Sequence, residues 1–140
     1  MNDIIVNKIQ SIQRCVERAR EEYYKNPAGF DTDFTMQDAA VLNILRACEL
    51  AIDLANHVIK LHKMGIPTSS TESFELLHRK HVMDSALSEK LKHMVHFRNT
   101  IIHEYEKMNI EIVKSVIQND LNDLVLFTDK IMEFVSGNPS

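Results

Sequence analysis

The chain has 140 residues, of which 44% are hydrophobic and 26% are charged, and its formal net charge is −4. This length and composition predict one folded domain over residues 1–140 with a substantial core, and they exclude the disordered and fibrous classes. The acidic balance argues against a protein that coats nucleic acid through a general positive field, because such binding depends on neutralising phosphates.

Neither a secretory leader nor an apolar run long enough to cross a bilayer is present in the sequence. We therefore expect a cytoplasmic protein without a membrane partner. Both cysteines, Cys15 and Cys48, lie within apolar helical patterns, and neither belongs to a set with metal-ligand spacing. Buried thiols are expected rather than a disulfide.

Helix-breaking residues divide the chain into segments, since prolines and glycines occur only at Pro27/Gly29, Gly65/Pro67 and Gly137/Pro139. The first segment is predicted to be an amphipathic helix ending near residue 26, because apolar residues recur at spacings of three and four: Ile5, Ile9, Ile12, Val16, Ala19 and Tyr23.

A polar loop over residues 26–34 leads to the second helix, where Thr35 and Asp38 have the spacing of a capping box. This helix, about residues 36–64, is the longest and most apolar, and its polar residues form a narrow strip. We expect several neighbouring helices or a second subunit to bury it.

The second half of the chain predicts three more helices. A Thr/Ser tract at residues 68–73 precedes a short helix, and a break at residues 84–88 precedes a fourth helix capped by Ser85 or Ser88 and fraying near residues 105–108. Asn109 is expected to cap the last helix, and residues 136–140 are expected to form a flexible tail. The apolar face of the last helix is predicted as Ile112, Val113, Val116, Ile117, Leu121, Leu124, Val125, Thr128, Ile131 and Met132.

No strand pattern competes with these helices. The predicted fold class is all-α, an antiparallel helical bundle of four main helices plus a short one.

The fourth helix carries a charged residue where an apolar one is expected. At roughly 100° per residue, Arg98 falls near the centre of a stripe that is apolar on both sides. Tyr105 lies two turns along the same stripe, while Asn99 and His103 form a neighbouring row. The apolar neighbours of Arg98 are Leu91, Met94, Val95, Ile101 and Ile102.

A partly buried arginine needs an anion, and two carboxylates on the second helix are the best local candidates. Glu49 and Asp53 lie one turn apart there. The alternative is that both merely edge the polar strip of that helix.

Sequence signatures of other enzymes are mostly absent: there is no glycine-rich phosphate loop and no nucleophile elbow. His78/His81 and His93/His96 are spaced one turn apart, but no carboxylate pattern accompanies them, so neither a metal nor a cofactor is expected. Positive charge is concentrated in residues 78–98, which permits a local basic site but is more often typical of a solvated face.

The remaining motif is Arg-x4-His-x-Tyr, formed by Arg98, His103 and Tyr105. It resembles the motif of the HEPN superfamily (higher eukaryotes and prokaryotes nucleotide-binding domain). More narrowly, the chain resembles the HepT toxins, which pair with a minimal nucleotidyltransferase antitoxin called MntA. The resemblance extends over nearly the full length, through the run at residues 48–57, the Gly-Ile-Pro turn at 65–67 and residues 109–113.

This resemblance implies a toxin that is a metal-independent ribonuclease, acting on messenger or transfer RNA as a homodimer with a composite cleft. It implies that His103 is the general acid/base, that Arg98 stabilises phosphoryl charge, and that Asn99 supports them. Tyr105 would accept AMP from ATP through the antitoxin, which would neutralise the toxin. From the residues alone, a structural ion pair explains Arg98 as well as catalysis does.

Two further interpretations belong to other classes of function. One is a non-catalytic HEPN module that binds nucleotide or assists a nucleotidyltransferase, and the other is a plain interaction bundle. Inert members of the superfamily commonly lose the arginine or the histidine, whereas this chain keeps both.

Overall fold

Helices make up the computed structural model, which describes residues 2–137: α1 (Asp3–Tyr24), α2 (Phe34–Leu61), α3 (Ser70–Arg79), α4 (Ser85–Glu104), α5 (Ile110–Ser115) and α6 (Leu121–Gly137). A π-helical turn, Val116–Asp120, joins α5 to α6, so these two form one continuous helical segment. Residues 2–137 contain no strand. The all-α prediction, with four long helical segments and a short α3, is confirmed.

Neighbouring long helices run antiparallel around one core. The amide of Gln13 contacts Thr128, and the hydroxyl of Tyr23 accepts a hydrogen bond from Gln118, so α1 and the last helical segment run in opposite directions. The most extensive packing is between α1 and α2, and α6 lies across both. None of the helices in residues 2–137 is long and apolar enough to span a membrane.

Aromatic side chains tie α3 to α6 in the centre of the bundle. Phe74 and Phe127 are fully buried and meet edge to face, with ring centroids 5.4 Å apart. Burial of each ring contributes about 2–3 kcal/mol relative to exposure. The predicted apolar face of the last helix omitted Phe127, and it wrongly included Ile112 and Met132, which are 52% and 38% exposed.

Aspartates rather than the predicted residues cap two of the helices. Asp33 accepts from the backbone N–H of Met36, so α2 begins before Thr35 and the predicted Thr35–Asp38 capping box is wrong. Asp84 accepts from the N–H of Leu87 and caps α4, not Ser85 or Ser88. An aspartate just before the first turn satisfies an otherwise unpaired N–H, and it outcompetes residues already inside the helix.

Other helix boundaries differ by a few residues. Asn109 caps α5 as predicted. Helix α2 ends at Leu61 rather than at residue 64, where the chain turns through Lys63 and Gly65 with positive φ. Ser136 and Gly137, placed in a flexible tail by the sequence, belong to α6, and residues 138–140 of that tail lie outside the described residues.

Both cysteines are buried thiols, as predicted. Burial raises the pKa of Cys48 to about 12, although the nearby charge of Arg98 acts in the opposite direction. At neutral pH this thiol stays protonated and therefore unreactive.

Candidate functional site

The site is a groove between α2 and α4, bordered by one stripe from each helix. On α2, residues spaced by four and three bring their side chains onto one face: Asp38, Leu42, Leu45 and Glu49. On α4 and the turn that follows it, the facing stripe is Arg98, Ile102 and Tyr105. Because α2 and α4 are antiparallel, Arg98 meets Glu49 at one end of the groove and Tyr105 meets Asp38 at the other.

Arg98 closes one end of the groove. Its side chain is only 17% exposed, and its Nε lies 3.1 Å from Oε1 of Glu49. The Nε–H is not directed at that oxygen, so charge rather than a hydrogen bond holds the pair. One terminal nitrogen, Nη2, donates to the hydroxyl of Ser70 at 3.4 Å. Glu49 is the carboxylate that pairs with Arg98, whereas Asp53 lines a pocket beside it.

Tyr105 closes the other end, at the start of a 3-10 turn, Tyr105–Lys107, that follows α4. Its hydroxyl donates a hydrogen bond to Oδ1 of Asp38, and its side chain remains 40% exposed. The hydrogen bond to the carboxylate, with partial burial, raises the pKa of Tyr105 to about 12. The hydroxyl is therefore fully protonated at neutral pH.

Apolar side chains form the floor of the groove between these polar ends. Two pockets of about 480 and 470 Å³ lie along it and share Leu45 and Ile102. Leu42 is 47% and Ile102 53% exposed, although both are large and apolar. Clustered exposed apolar residues flanked by charges are typical of a binding or assembly surface.

His103 and Asn99 lie beside the groove rather than in it, and both are exposed. His103 lines a separate pocket of about 470 Å³ with residues 102–107. Five residues of helix separate Arg98 from His103, which splays their side chains roughly 140° apart. Within residues 2–137 the two form no hydrogen bond with each other, so one copy of the chain does not bring the motif together.

Residues 78–98 do not form a free basic patch. Lys92 contacts Glu75 at 2.6 Å and Glu89 at 3.1 Å, and Arg79 lies 3.6 Å from Glu75. The hydrogen bond from Lys92 is the main reason that the pKa of Glu75 is lowered. Opposite charges thus balance most of this surface, as the solvated-face interpretation predicts.

A different cavity, about 370 Å³, separates α4 from the π-helical turn. Asp120 is partly buried and Asp123 is almost completely buried, and this burial raises the pKa of each carboxyl group. The nearest cation, Lys90, is 3.9 Å from Asp123. In the described part of the chain, no cluster of three or more His, Cys, Asp or Glu side chains has the geometry to hold a metal ion.

Sequence reasoning missed two residues of the groove. Ser70 reaches Arg98 from α3, and no pattern in the sequence indicates that contact. Asp38 was assigned to a helix cap, although its spacing of eleven residues from Glu49 places both on one face of α2. That spacing is the signal that could have identified it.

Comparison with known proteins identifies the family of the chain. A family model described as Ribonuclease HepT-like matches residues 12–131. The chain is 44% identical over 131 residues to the mRNA nuclease HepT of Shewanella oneidensis, covering 94% of this chain and 98% of that protein. The chain belongs to the ribonuclease HepT-like family.

Solved structures of HEPN toxins share the fold. The tri-AMPylated Shewanella oneidensis HEPN toxin, in complex with its MNT antitoxin, superposes with a TM-score of 0.88 at 44% identity, covering 94% of this chain and 98% of that one. A toxin–antitoxin complex with AMP-PNP gives the same TM-score at 43% identity and the same coverage. The resemblance to HEPN proteins predicted from Arg98, His103 and Tyr105 is thereby confirmed.

Proposed function

We propose that this chain is a cytoplasmic toxin whose activity is metal-independent endonucleolytic cleavage of RNA. The observation that carries the proposal is that one helix of a ribonuclease HepT-like protein bears both a largely buried arginine, fixed by Glu49 and Ser70, and an exposed histidine. The relative in Shewanella oneidensis is an mRNA nuclease, which favours messenger RNA over transfer RNA as the substrate.

The chemistry requires one proton acceptor and one stabiliser of charge. As the 2′-hydroxyl of the RNA attacks phosphorus, His103 accepts its proton as general base, the bond from phosphorus to the 5′-oxygen breaks, and that oxygen leaves with a proton returned by the imidazolium. Negative charge grows on the phosphoryl oxygens, and the guanidinium of Arg98 donates to them. Asn99, exposed one residue after Arg98, supports the scissile phosphate.

These two groups act together in a homodimer. The apolar floor of the groove, Leu42, Leu45 and Ile102, supports a seam along which two copies pack through a two-fold axis. The proposed dimer combines the His103 of one copy with the Arg98 of the other, which compensates for their angular separation on a single helix. Each cleft is then composite, and RNA is cut at the junction between subunits.

Neutralisation follows from transfer of AMP to Tyr105 by a minimal nucleotidyltransferase antitoxin of the MntA kind. The partly exposed side chain of Tyr105 supports this assignment, as does the AMPylated state of the toxin in the antitoxin complex of the relative. Each adenylate adds negative charge and bulk at the end of the groove, so RNA phosphates are repelled and excluded.

The proposal is tested by replacing His103 with alanine. The side chain is exposed, so the free energy of unfolding should change by less than about 0.5 kcal/mol. Loss of a general acid/base should slow RNA cleavage by about 10²–10⁴-fold and abolish growth arrest on expression. His93→Ala is the matched control, because His93 is exposed on the same helix outside the motif. A His103→Ala protein that stays fully toxic contradicts the ribonuclease mechanism and favours a non-catalytic HEPN module.

A further inference from the structure

Among the residues that the structure describes, the side chain of Asp38 makes one hydrogen bond, which it accepts from Tyr105. It was expected to cap α2, but Asp33 performs that role. In the described part of the chain, Asp38 forms no ion pair, and its carboxylate is bonded to the hydroxyl of Tyr105 alone. Its side chain is exposed, so the pair lies at the surface of the protein, at the Tyr105 end of the groove, where another protein can reach it.

Other ionisable groups near Tyr105 do not engage its hydroxyl. His103, Glu104, Glu106 and Lys107 line the adjacent pocket, and all of them belong to the same segment as Tyr105. From the facing helix α2, Asp38 is the ionisable group that lines the pocket on the other side of the ring. Among residues 2–137, the carboxylate of Asp38 is thus the one base already in contact with the reacting oxygen.

We propose that Asp38 is a catalytic residue for the modification of its own chain, accepting the proton of Tyr105 when AMP is transferred to that hydroxyl. This inference rests on the proposed function, because it assumes that Tyr105 is adenylylated. The antitoxin supplies ATP, and the toxin supplies both the nucleophile and its base.

The step balances with ATP as the co-reactant. The oxygen Oη of Tyr105 attacks the α-phosphorus of ATP, the Oη–P bond forms, and the bond from the α-phosphorus to its bridging oxygen breaks. Pyrophosphate leaves with that electron pair, and the hydroxyl proton passes to Oδ1 of Asp38. No oxidant or reductant is required.

The ground-state chemistry makes a base necessary. With its pKa raised to about 12, Tyr105 contributes almost no phenolate at neutral pH. Its proton must therefore leave during the attack, when the developing Oη–P bond makes the hydroxyl strongly acidic. A carboxylate already hydrogen-bonded to that proton can accept it without rearrangement.

The opposing explanation is that the hydrogen bond merely anchors the turn Tyr105–Lys107 to α2. Asp38→Asn separates the two roles, because an amide oxygen can still accept the hydrogen bond of Tyr105 but is far too weak a base to take its proton. A positioning role alone would leave the Asn variant close to the wild-type rate, whereas loss of a base would not.

The test measures adenylate incorporation into the full-length toxin by peptide mass spectrometry, with the co-expressed and purified nucleotidyltransferase antitoxin, ATP and Mg²⁺. We expect Asp38→Asn to slow modification of Tyr105 by about 10²-fold or more at neutral pH. The deficit relative to wild type should shrink between about pH 7 and about pH 9, as hydroxide replaces the missing base. Glu106→Gln, a neighbouring exposed carboxylate, is the matched control and should be modified at the wild-type rate.

Each outcome has a distinct meaning. Asp38→Asn protein modified at the wild-type rate, or a deficit that stays constant with pH, would overturn the role of Asp38 and leave the proposed function intact. Adenylate found on a Tyr105→Phe protein, or none on the wild-type chain, would overturn the assignment of Tyr105 and this inference with it.

Discussion

The sequence leaves two explanations of Arg98 equally open, because a largely buried arginine can either stabilise the fold or take part in the chemistry. The decisive perturbation is Arg98→Ala. If the ion pair with Glu49 is structural, its removal should unfold the protein measurably, and if Arg98 is catalytic, activity should fall in a protein that remains folded.

The structure indicates how large the structural effect is. Glu49 is 51% exposed, and the Nε–H of Arg98 does not point at its carboxylate. A half-solvated pair of this kind contributes about 0.2–1 kcal/mol to stability. Once Arg98 is removed, Glu49 is left in contact with water, which avoids the penalty of a buried unpaired charge.

The expected catalytic effect is much larger. Removal of one donor that stabilises a developing oxyanion typically slows the reaction by about 10²–10³-fold, or about 2.7–4 kcal/mol in the barrier. Arg98→Lys should recover only part of this loss, because a lysine ammonium lacks the planar fork of N–H donors with which a guanidinium bonds two phosphoryl oxygens at once.

Two assays applied to the same preparations distinguish the explanations. Urea denaturation gives the free energy of unfolding, and cleavage of a labelled messenger RNA gives the rate. We expect Arg98→Ala to lose less than about 1 kcal/mol of stability and at least about 10²-fold in rate. A loss of more than about 3 kcal/mol, with the rate per folded molecule preserved, would refute the reasoning and make Arg98 a structural residue.

Three further predictions concern assembly, charge burial and the core. Ile102→Asp should dissociate the proposed dimer, as measured by light scattering, and abolish cleavage in an RNA assay. Leu126→Asp is the control and should do neither, because Leu126 is also apolar and is 38% exposed, but lies on α6. A fully active Ile102→Asp monomer would contradict the composite cleft. Burial raises the pKa of Asp123, so the folded state binds its proton more tightly than the unfolded state and loses stability as pH rises through that pKa. Asp123→Asn should therefore raise the free energy of unfolding at neutral pH by on the order of 1 kcal/mol, seen as a higher thermal midpoint, and the advantage should vanish in acid. An unchanged midpoint at neutral pH would show that Lys90 already offsets the charge. Phe127→Ala should lower the free energy of unfolding, measured by urea denaturation, by about 3–5 kcal/mol. A decrease of less than about 1 kcal/mol would mean that the surrounding side chains collapse around the alanine.

The residues of the groove could be predicted from the sequence where their positions depend on the periodicity of a single helix. The period of α4 placed Arg98 on an apolar stripe and Tyr105 two turns along it, and the structure has both on the face that borders the groove. The same period separated His103 from Arg98, which is why a second copy enters the proposed mechanism.

Contacts between helices could be predicted less well from the sequence. The sequence offered Glu49 and Asp53 as partners for Arg98, and the register of α2 against α4 selected Glu49. Asp38 was misassigned because a capping box is a local pattern, and local patterns take no account of a tyrosine 67 residues away. The contact between Ser70 and Arg98 likewise depends on where α3 ends up in the bundle.

The sequence by itself determined the helices, the free thiols, the family and the identity of the motif, since these depend on periodicity, on helix-breaking residues and on residue types at fixed spacing. Only the tertiary structure decided which carboxylate holds Arg98, that Asp38 holds Tyr105, and that His103 lies outside the groove. The physical reason is that a helix fixes the direction of each side chain relative to its own axis, whereas the rotation and sliding of one helix against another are set by the packing of the whole core.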